Sequence, residues 1–360
     1  MGGRKMRVGI IAANNIRYSP YIFFYTDILS KNNIECELIY PDRNGLKESF
    51  DGVSHALPWN RRLPTLLSYA LYSNAVIKVV KRCKYDALIV LTSVNAAYLS
   101  LWLKRNYAKR YIVDIRDYSH ENILPYYYLE SIAVRNSLMN VISSAKFTEF
   151  LPAADYSVCH NINQDDAERA DYSFCKANDV IKIGYVGALS YIDQCNRLMK
   201  LVAADERFSL DYYGSSVSEP VLKEYAQQLC CDRIHFHGAY SGSEKASIIQ
   251  KVDILFNAYG NGIPLLDYAL SNKLYDSLIH RKMILTCPDT YMNEMGGPLA
   301  FPIELSTAKT LDDLYDWYMR IDGHEIEAFA INALEAVLQE NSVTKGKIAA
   351  ELLKLKKAKD

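Results

Sequence analysis

The chain has 360 residues, of which half are hydrophobic and 23% are charged, so it can bury a sizeable core and is long enough for two domains. Its 41 basic and 42 acidic side chains nearly cancel, which excludes the strong overall field of many nucleic-acid-binding proteins. The eight cysteines form no Cys-x-x-Cys pair and no zinc-like spacing with histidines. We therefore expect free thiols, no bound metal or cofactor, and a small-molecule ligand.

The amino terminus, MGGRKMRVGIIAANN, has no apolar stretch or cleavage site of a signal peptide, so we expect a cytoplasmic protein. The uncharged segment 87–103 contains Thr92, Ser93 and Asn95 at its middle. It is also short for a bilayer crossing of about 20 residues. We interpret this segment as a buried strand, a turn and a helix.

The first half alternates β-branched runs with helical patterns, which is typical of a parallel sheet wrapped by helices. A Rossmann-like domain is predicted over residues 1–163. Its strands are predicted at 7–12, 35–40, 87–91, 111–115, 141–143 and 156–160, and its helices at 19–31, 64–82, 96–107 and 126–138.

A polar segment at 164–179 is predicted to be a linker, after which the alternation begins again. The second Rossmann-like domain is predicted over 180–325, followed by carboxyl-terminal helices over 326–360. Its strands are predicted at 181–186, 209–213, 234–237, 254–257, 283–286 and 299–302, and its helices at 194–203, 221–229, 243–250 and 272–280. The expected fold class is thus two facing, doubly wound α/β domains that bind ligands at the carboxyl ends of their strands.

Glycines recur where the strands of the second domain end. They lie in the segments IKIGYVGALSY, DYYGSS, HFHGAY and FNAYGNG. A glycine at a strand end lets backbone amides approach a phosphate, and the helix that follows adds the positive end of its dipole. The same glycines would serve tight packing of strand against helix, and the sequence leaves both interpretations open.

The segment SNKLYDSLIHRKMIL predicts a helix capped by Ser271 and Asn272, with Lys273 and Asp276 in its first turns. Asp276 could accept hydrogen bonds from ribose hydroxyls, and Lys273 could bind a phosphate. By spacing alone, a weak ion pair on a surface helix is the alternative.

The second domain resembles the donor domain of GT-B glycosyltransferases through GYVGAL, DYYGSS, IHFHGAY and SNKLYDSLIHRKMIL, in that order. It is similar to family 4 enzymes from bacterial capsule and exopolysaccharide gene clusters, whose helix reads roughly S-x-K-L-x-E-Y-x-x-x-x-K-P. Lys273 and Asp276 match the Lys and Glu of that helix. The first domain resembles the same enzymes through DIRDYSHE at 114–121.

This resemblance implies a retaining, metal-independent hexosyltransferase that takes a nucleotide-diphosphate sugar as its donor. The implied acceptor is a glycan or a lipid-linked saccharide of surface polysaccharide synthesis. The predicted donor-binding residues are Gly187, Ser190, Gly214, Tyr259, Gly260, Asn272, Lys273 and Asp276.

Two features depart from the family pattern. Many family 4 enzymes have an Arg just after the glycine loop, but here Ala188, Leu189 and Ser190 follow Gly187. They also have a Lys about five residues on, where this chain has Ile192 and Asp193. The usual pair of glutamates eight residues apart is also broken, because Tyr268 stands eight positions before Asp276. Either the chain is a divergent enzyme, or its activity is impaired.

Candidates for a base or a sugar-contacting group lie in the loop beyond the strand 111–115, and they are Asp117, His120 and Glu121. An alternative is a structural Asp114–Arg116 pair with Asp117 capping a turn. The loop after the first strand is predicted to contact the acceptor through Asn14, Asn15, Arg17 and Tyr18.

The helix at 64–82 mixes apolar and basic residues and follows Arg61 and Arg62, which suggests peripheral contact with an anionic membrane face. An ordinary amphipathic helix on a sheet is the alternative.

Two other functions stay open. A non-hydrolysing nucleotide-sugar epimerase would share the two-domain architecture, and a non-catalytic nucleotide-sugar-binding protein would explain the missing basic residues.

Overall fold

The computed structural model describes residues 5–357 apart from 170, 178, 307 and 308. The chain divides into two compact units. Unit 1 comprises Met1–Asn161 and Gln339–Asp360, and unit 2 comprises Ile162–Leu338. The segment 164–179, which the sequence suggested as a linker, thus lies within unit 2, and the end of the chain returns to unit 1.

Unit 1 is built on a parallel sheet. Its strands are β1 (Arg7–Ile11), β2 (Glu35–Asp42), β3 (Val53–Pro58), β4 (Ala87–Leu91), β5 (Tyr111–Ile115), β6 (Met139–Ile142) and β7 (Tyr156–Val158). They lie in the order β3-β2-β1-β4-β5-β6-β7. Every residue of β4 and β5 is buried, because helices cover both faces of a doubly wound sheet.

The helices of unit 1 connect these strands. They are α1 (Ile22–Lys31), α2 (Thr65–Cys83), α3 (Ser93–Tyr107) and α4 (Leu124–Asn136). The expected strand, turn and helix at 87–103 are confirmed as β4, Thr92 and the first part of α3. Among the helices in the described part of the chain, none is both long and apolar enough to cross a membrane.

Unit 2 begins with the short helix α5 (Gln164–Glu168) and holds a second parallel sheet. Its strands are β8 (Ile181–Val186), β9 (Phe208–Tyr213), β10 (Ile234–Gly238), β11 (Ile254–Phe256), β12 (Met283–Thr286) and β13 (Ala300–Pro302). They lie in the order β10-β9-β8-β11-β12-β13. The order of the strands reverses between β8 and β11. The ends of these two strands therefore form the switch point, where such sheets bind ligands.

The remaining helices flank the second sheet and end the chain. They are α6 (Ile192–Ala203), α7 (Glu219–Gln228), α8 (Lys245–Gln250), α9 (Pro264–Tyr268), α10 (Asn272–His280), α11 (Tyr291–Gly296), α12 (Lys309–Arg320) and α13 (Gly323–Lys357). Helix α13 starts in unit 2 and ends in unit 1. In unit 1, Ile348 and Leu352 of α13 are buried in the hydrophobic core. The basic carboxyl-terminal end of α13 therefore packs against unit 1 through its apolar face.

The sequence missed the edge strand β3 and the short helices α5, α9 and α11. Strand β3 was missed because its side chains are exposed or half-buried, so it lacks the continuous apolar run of a central strand. The three helices have only five or six residues each, too few to show a helical period. The other predicted elements are present, with ends shifted by a few residues.

Candidate functional site

The glycine turns of unit 2 bring the ends of β8 and β9 into direct backbone contact. Gly187 and Gly214 both have φ of +133°, which side-chain-bearing residues rarely adopt. A Cβ atom on Gly214 would lie 1.9 Å from the carbonyl oxygen of Gly187, so only glycine fits there. By contrast, Gly184 lies inside β8 against Val252, where a Cβ would meet the Val252 side chain at 2.6 Å. The packing interpretation therefore holds at Gly184 and at Gly214, and the approach of backbone amides to a phosphate stays a prediction.

The turn after Gly187 folds around the hydroxyl of Tyr185. That hydroxyl donates to the Ala188 carbonyl at 3.1 Å and accepts from the Ser190 amide at 3.2 Å. The Ser190 hydroxyl lies 3.1 Å from the same oxygen. Ser190, predicted to bind the donor, thus has its own amide and hydroxyl engaged in shaping the turn.

Helix α10 begins as the sequence indicates. Ser271 caps it and accepts a hydrogen bond from the Lys273 amide at 3.2 Å. The Ser271 hydroxyl donates to the Asn257 side chain at 2.7 Å, which ties the cap to the end of β11. The cap fixes the first turn of α10 at the carboxyl edge of the sheet, with Asn272 exposed there.

Lys273 presents its ammonium group to the glycine turn. Its Nζ lies 4.8 Å from the ring centroid of Tyr185 and 5.1 Å from that of Tyr259, and it would be 3.6 Å from a Cβ on Gly187. Burial lowers the pKa of Lys273 to about 8, and the Asp276 carboxylate acts against this shift. Among the described residues, the ammonium has no hydrogen-bond or ion-pair partner. An anion beside Gly187 would supply one.

Asp276 pairs with Lys245 of α8 rather than with Lys273. The Lys245 Nζ lies 2.6 Å from one carboxyl oxygen of Asp276. Burial raises the pKa of Asp276, while Lys245 and Lys273 act to lower it. The sequence gave no signal for Lys245, because the contact joins positions 31 residues apart on different helices. The surface i,i+3 ion pair is therefore not what this structure contains.

Aromatic rings extend the site beyond Lys273. Tyr191 stacks on Tyr259 with ring centroids 4.2 Å apart and an interplanar angle of 9°. Tyr191 keeps 38% of its surface exposed. Gly260 follows Tyr259 with φ of +117° and donates its amide to the Cys287 sulfur at 3.1 Å. The end of β11 thus offers a flat apolar face beside a cation.

In unit 1, the end of β5 and the loop after it carry a buried ion pair and a carboxylate residue with exposed surface. The Arg116 Nε lies 2.6 Å from one carboxyl oxygen of Asp114, whose other oxygen accepts from Tyr25 at 2.7 Å. This buried pair confirms the structural interpretation of Asp114 and Arg116. Asp117 follows with an exposed residue surface, yet desolvation of its carboxyl raises its pKa to about 6 against the Arg116 charge.

The other two candidates in this loop differ in exposure. His120 is exposed and packs edge-on against Tyr126, with ring centroids 5.5 Å apart. Glu121 is buried, accepts the Ser119 amide at 2.6 Å, and has its pKa raised by burial. Glu121 therefore shapes the loop, whereas Asp117 and His120 have side chains that a substrate can reach.

A strained turn lies beside this loop at the end of β4. Thr92 has φ of +76°, a conformation that costs a β-branched residue energy. Its amide donates to the Asp114 carbonyl at 2.7 Å. The next residue, Ser93, donates to Ser119 at 3.0 Å and accepts from Tyr126 at 2.8 Å. This polar cluster was missed from the sequence, where 87–103 was considered mainly as a buried segment.

The loop after β1 contains the four predicted acceptor-binding residues. Asn15 is fully buried and bridges to Asp42 and to the amide of Arg43. The Arg17 Nε lies 2.6 Å from the Glu48 carboxylate. Asn14 is half-buried, and Tyr18 is 57% exposed. Asn15 and Arg17 thus hold the loop, which leaves Tyr18 as the most accessible member of the set.

Arg43, at the carboxyl end of β2, is a further candidate that the sequence did not reveal. Its guanidinium donates to the Ala13 carbonyl and to the Tyr69 hydroxyl, each at 2.7 Å. It also lies 4.1 Å from the Trp59 ring centroid. Its position directly after a strand that ends at the carboxyl edge was the signal available in the sequence.

No protein-family model matches this sequence, and no curated protein matches it. Solved structures do share its fold. A glycosyltransferase from Rickettsia africae is 14% identical, with a TM-score of 0.67 over 98% of this chain and 100% of that one. HepE from Anabaena, solved with UDP-glucose, is 13% identical, with a TM-score of 0.65 over 97% of this chain and 99% of the other.

A third structure comes from Listeria monocytogenes and is a putative UDP-N-acetylglucosamine 2-epimerase. It is 12% identical, with a TM-score of 0.61 over 93% of this chain and 95% of that one. At such identities the likeness shows the fold. The expected fold class, two Rossmann-like parallel-sheet domains with a helical carboxyl-terminal tail, is confirmed.

We expect Lys273→Met to raise the melting temperature of the ligand-free protein by a few degrees at pH 7. Methionine keeps the apolar stem and removes an ammonium whose pKa burial lowers to about 8. An unfolded lysine titrates near pH 10.4, so the unfolded wild type binds more protons above pH 8 and wild-type stability should rise with pH there. The difference in melting temperature between Lys273→Met and the wild type should therefore be smaller at about pH 9 than at pH 7.

The control is Lys200→Met, which removes an exposed lysine from α6. Calorimetric scans at both pH values should show little change for this variant. A melting temperature of Lys273→Met at or below that of the wild type at both pH values would contradict the expectation.

Proposed function

We propose that this chain is a glycosyltransferase that takes a sugar from a nucleotide-diphosphate donor bound by unit 2. The carrying observation is the Lys273 ammonium, which lies beside the Gly187 turn without an anionic partner among the described side chains that it contacts. A diphosphate there would gain a cation, backbone amides and the start of α6. The fold shared with a Rickettsia africae glycosyltransferase and with UDP-glucose-bound HepE supports the same class of ligand.

The rest of the donor has partners of matching chemistry. Asp276 uses one carboxyl oxygen for Lys245, which leaves the other to accept hydrogen bonds from ribose hydroxyls. The exposed ring of Tyr191, stacked on Tyr259, offers a face for a sugar or base. We propose that Lys273 binds the diphosphate in place of the Arg and Lys that follow the glycine loop in family 4 enzymes. We therefore propose a divergent active enzyme rather than an impaired one.

The finer proposal is a retaining, metal-independent hexosyltransferase of surface polysaccharide synthesis, acting in the cytoplasm on a glycan or lipid-linked saccharide. Leaving-group charge would be stabilised by Lys273 and the glycine turn, a role that other enzymes give to a metal ion. The support is the residue-level likeness to family 4 in the segment SNKLYDSLIHRKMIL.

Binding of the donor is tested by melting the purified protein with UDP, GDP, TDP and their sugar conjugates. One nucleotide should stabilise the native protein by about 2.7 kcal/mol at a concentration 100 times its dissociation constant. The melting temperature should rise accordingly. Asp276→Ala and Lys273→Met should lose most of that response, because each removes a polar contact to the ligand. Asp313→Ala, which removes an exposed aspartate of α12, should keep it.

A screen in which no nucleotide stabilises the wild type would count against the donor site. A response retained in both Asp276→Ala and Lys273→Met would place the nucleotide elsewhere in the chain.

In unit 1, Asp117 is our candidate for the group that contacts the acceptor or donor sugar. The residue has exposed surface, and desolvation raises the pKa of its carboxyl to about 6. A base that accepts the acceptor proton and a carboxylate that orients a sugar hydroxyl both need the ionised form. Activity should then depend on the charge state of Asp117 in either role.

With the donor that the screen identifies, kcat/KM should fall about tenfold per pH unit below pH 6, as Asp117 takes up its proton. Asp117→Asn should lower kcat by roughly 10² to 10⁴ and remove this acid limb. His120→Gln is the matched control in the same loop and should keep the limb. An acid limb that persists in Asp117→Asn and disappears in His120→Gln would assign the role to His120 instead.

Helix α2 supports the proposed contact with an anionic membrane face. Its amino-terminal half exposes Leu66, Leu67 and Leu71, which are 66%, 47% and 51% accessible. The segment 59–84 carries six basic residues and no acidic one. Apolar side chains flanked by positive charge favour binding to acidic lipid over binding to a neutral surface. Such contact would suit a lipid-linked acceptor.

Flotation with vesicles tests this contact. The wild type should float with anionic vesicles and far less with neutral ones, and a triple change of Leu66, Leu67 and Leu71 to Ser should abolish flotation. Leu101→Ser, which removes an exposed leucine of α3, should leave flotation intact. Wild-type protein that stays at the bottom with anionic vesicles would overturn the membrane proposal.

A nucleotide-sugar epimerase is the second candidate, favoured by the fold shared with the Listeria monocytogenes protein. An epimerase needs the donor and no acceptor. Incubation with the identified nucleotide sugar alone, followed by chromatography of the sugar, separates the two functions. A changed sugar configuration indicates the epimerase, and an unchanged donor that is consumed only with acceptor indicates the transferase.

A further inference from the structure

Three potential metal ligands from distant parts of the sequence converge in unit 1. They are the Glu37 carboxylate on β2, the His55 ring on β3 and the Cys83 thiol at the end of α2. Their ligand atoms all lie within 4.8 Å of one another. Glu37 is buried, and His55 and Cys83 are half-buried, so the cluster is sheltered yet reachable from solvent.

The separations of the ligand atoms are close to those of a tetrahedral zinc site. The Glu37 Oε2 lies 2.9 Å from the His55 Nε2, and the Cys83 Sγ lies 3.9 Å from that nitrogen. Zinc bonds of standard length at a tetrahedral angle would place these atom pairs about 3.3 Å and 3.6 Å apart. Shifts of about 0.4 Å or less would therefore bring both pairs to the geometry of a bound ion.

The donor set also fits zinc chemically. A thiolate, an imidazole nitrogen and a carboxylate oxygen are the three side-chain ligands that zinc commonly takes. One thiolate and one carboxylate would neutralise the charge of a divalent ion. Three protein ligands leave a fourth position for water or for the Tyr85 hydroxyl, which lies 3.3 Å from the His55 Nε2.

Neighbouring groups already hold the ligands in place. Arg7 contacts the other carboxyl oxygen of Glu37, and Tyr85 donates to the Glu37 Oε2 at 2.6 Å. Such outer contacts orient metal ligands in known sites. Arg7 contacts Oε1, and Oε2 has two lone pairs, so it could keep the Tyr85 hydrogen bond and bind an ion in place of its contact with His55.

We propose that Glu37, His55 and Cys83 form a zinc-binding site that is separate from the proposed transferase site. It lies toward the amino ends of the strands, since Cys83 and Tyr85 precede β4 and Arg7 begins β1. The strand-end loops that carry Asp117 and Tyr18 lie at the carboxyl ends. A bound ion would tie the edge strand β3 to β2 and to the end of α2, and the site does not depend on the proposed transferase activity.

The test uses the full chain, stripped of metal and kept reduced, with Co²⁺ and Zn²⁺ as probes. Wild type should bind one equivalent of Co²⁺ with the charge-transfer absorption of a thiolate ligand and the visible bands of a four-coordinate ion. Zn²⁺ should displace the Co²⁺ and raise the melting temperature. Cys83→Ser should remove the thiolate band and weaken Zn²⁺ binding at least about 100-fold.

His55→Asn provides a second variant, which should weaken binding without removing a thiol. The control is the double variant Cys230→Ser with Cys231→Ser, which removes the vicinal thiols of unit 2 and should keep full binding. Circular dichroism establishes that each variant is folded. Wild type without a thiolate band, or a Cys83→Ser variant that binds as wild type does, would overturn the proposal and leave the cluster as a hydrogen-bonded junction.

Discussion

The contact between the turns of β8 and β9 is the constraint on which the proposed donor site depends. Gly214 packs its backbone against the Gly187 carbonyl at a distance that no side chain permits. This contact fixes the Gly187 turn beside the first turn of α10, whose cap is tied to the end of β11 through Ser271 and Asn257. The Lys273 ammonium is thereby held beside the Gly187 turn, and the structure gives it no hydrogen bond to an acid among the described residues.

Holding a cation in that position is costly without a ligand. Burial depresses the pKa of Lys273, and its ammonium lies over the rings of Tyr185 and Tyr259. Sites that bind ligands often store such unfavourable interactions, which the ligand then relieves. The same holds in unit 1, where Thr92 keeps a strained backbone beside the loop of Asp117. Both features therefore favour binding sites at the carboxyl edges of the two sheets.

Much of the fold could be predicted from the sequence because central parallel strands such as β4 are continuous apolar runs. The edge strand β3 could not, since half-exposed residues give no such pattern. The cap and position of α10 were also predictable, because capping is a local interaction. The partner of Asp276 was not, because Lys245 reaches it from another helix. The Glu37, His55 and Cys83 cluster escaped detection for the same reason: its spacing of ligands along the chain resembles no known local motif.

The central claim is that a nucleoside diphosphate binds at the glycine turns of unit 2. Hydrogen–deuterium exchange of the full chain, with and without the nucleotide that stabilises it, measures this directly. The account predicts slower exchange at amides 187–194 and 271–276 on binding, with a smaller effect in Lys273→Met at equal nucleotide concentration. Binding that leaves these amides unchanged and protects only amides of unit 1 would contradict it.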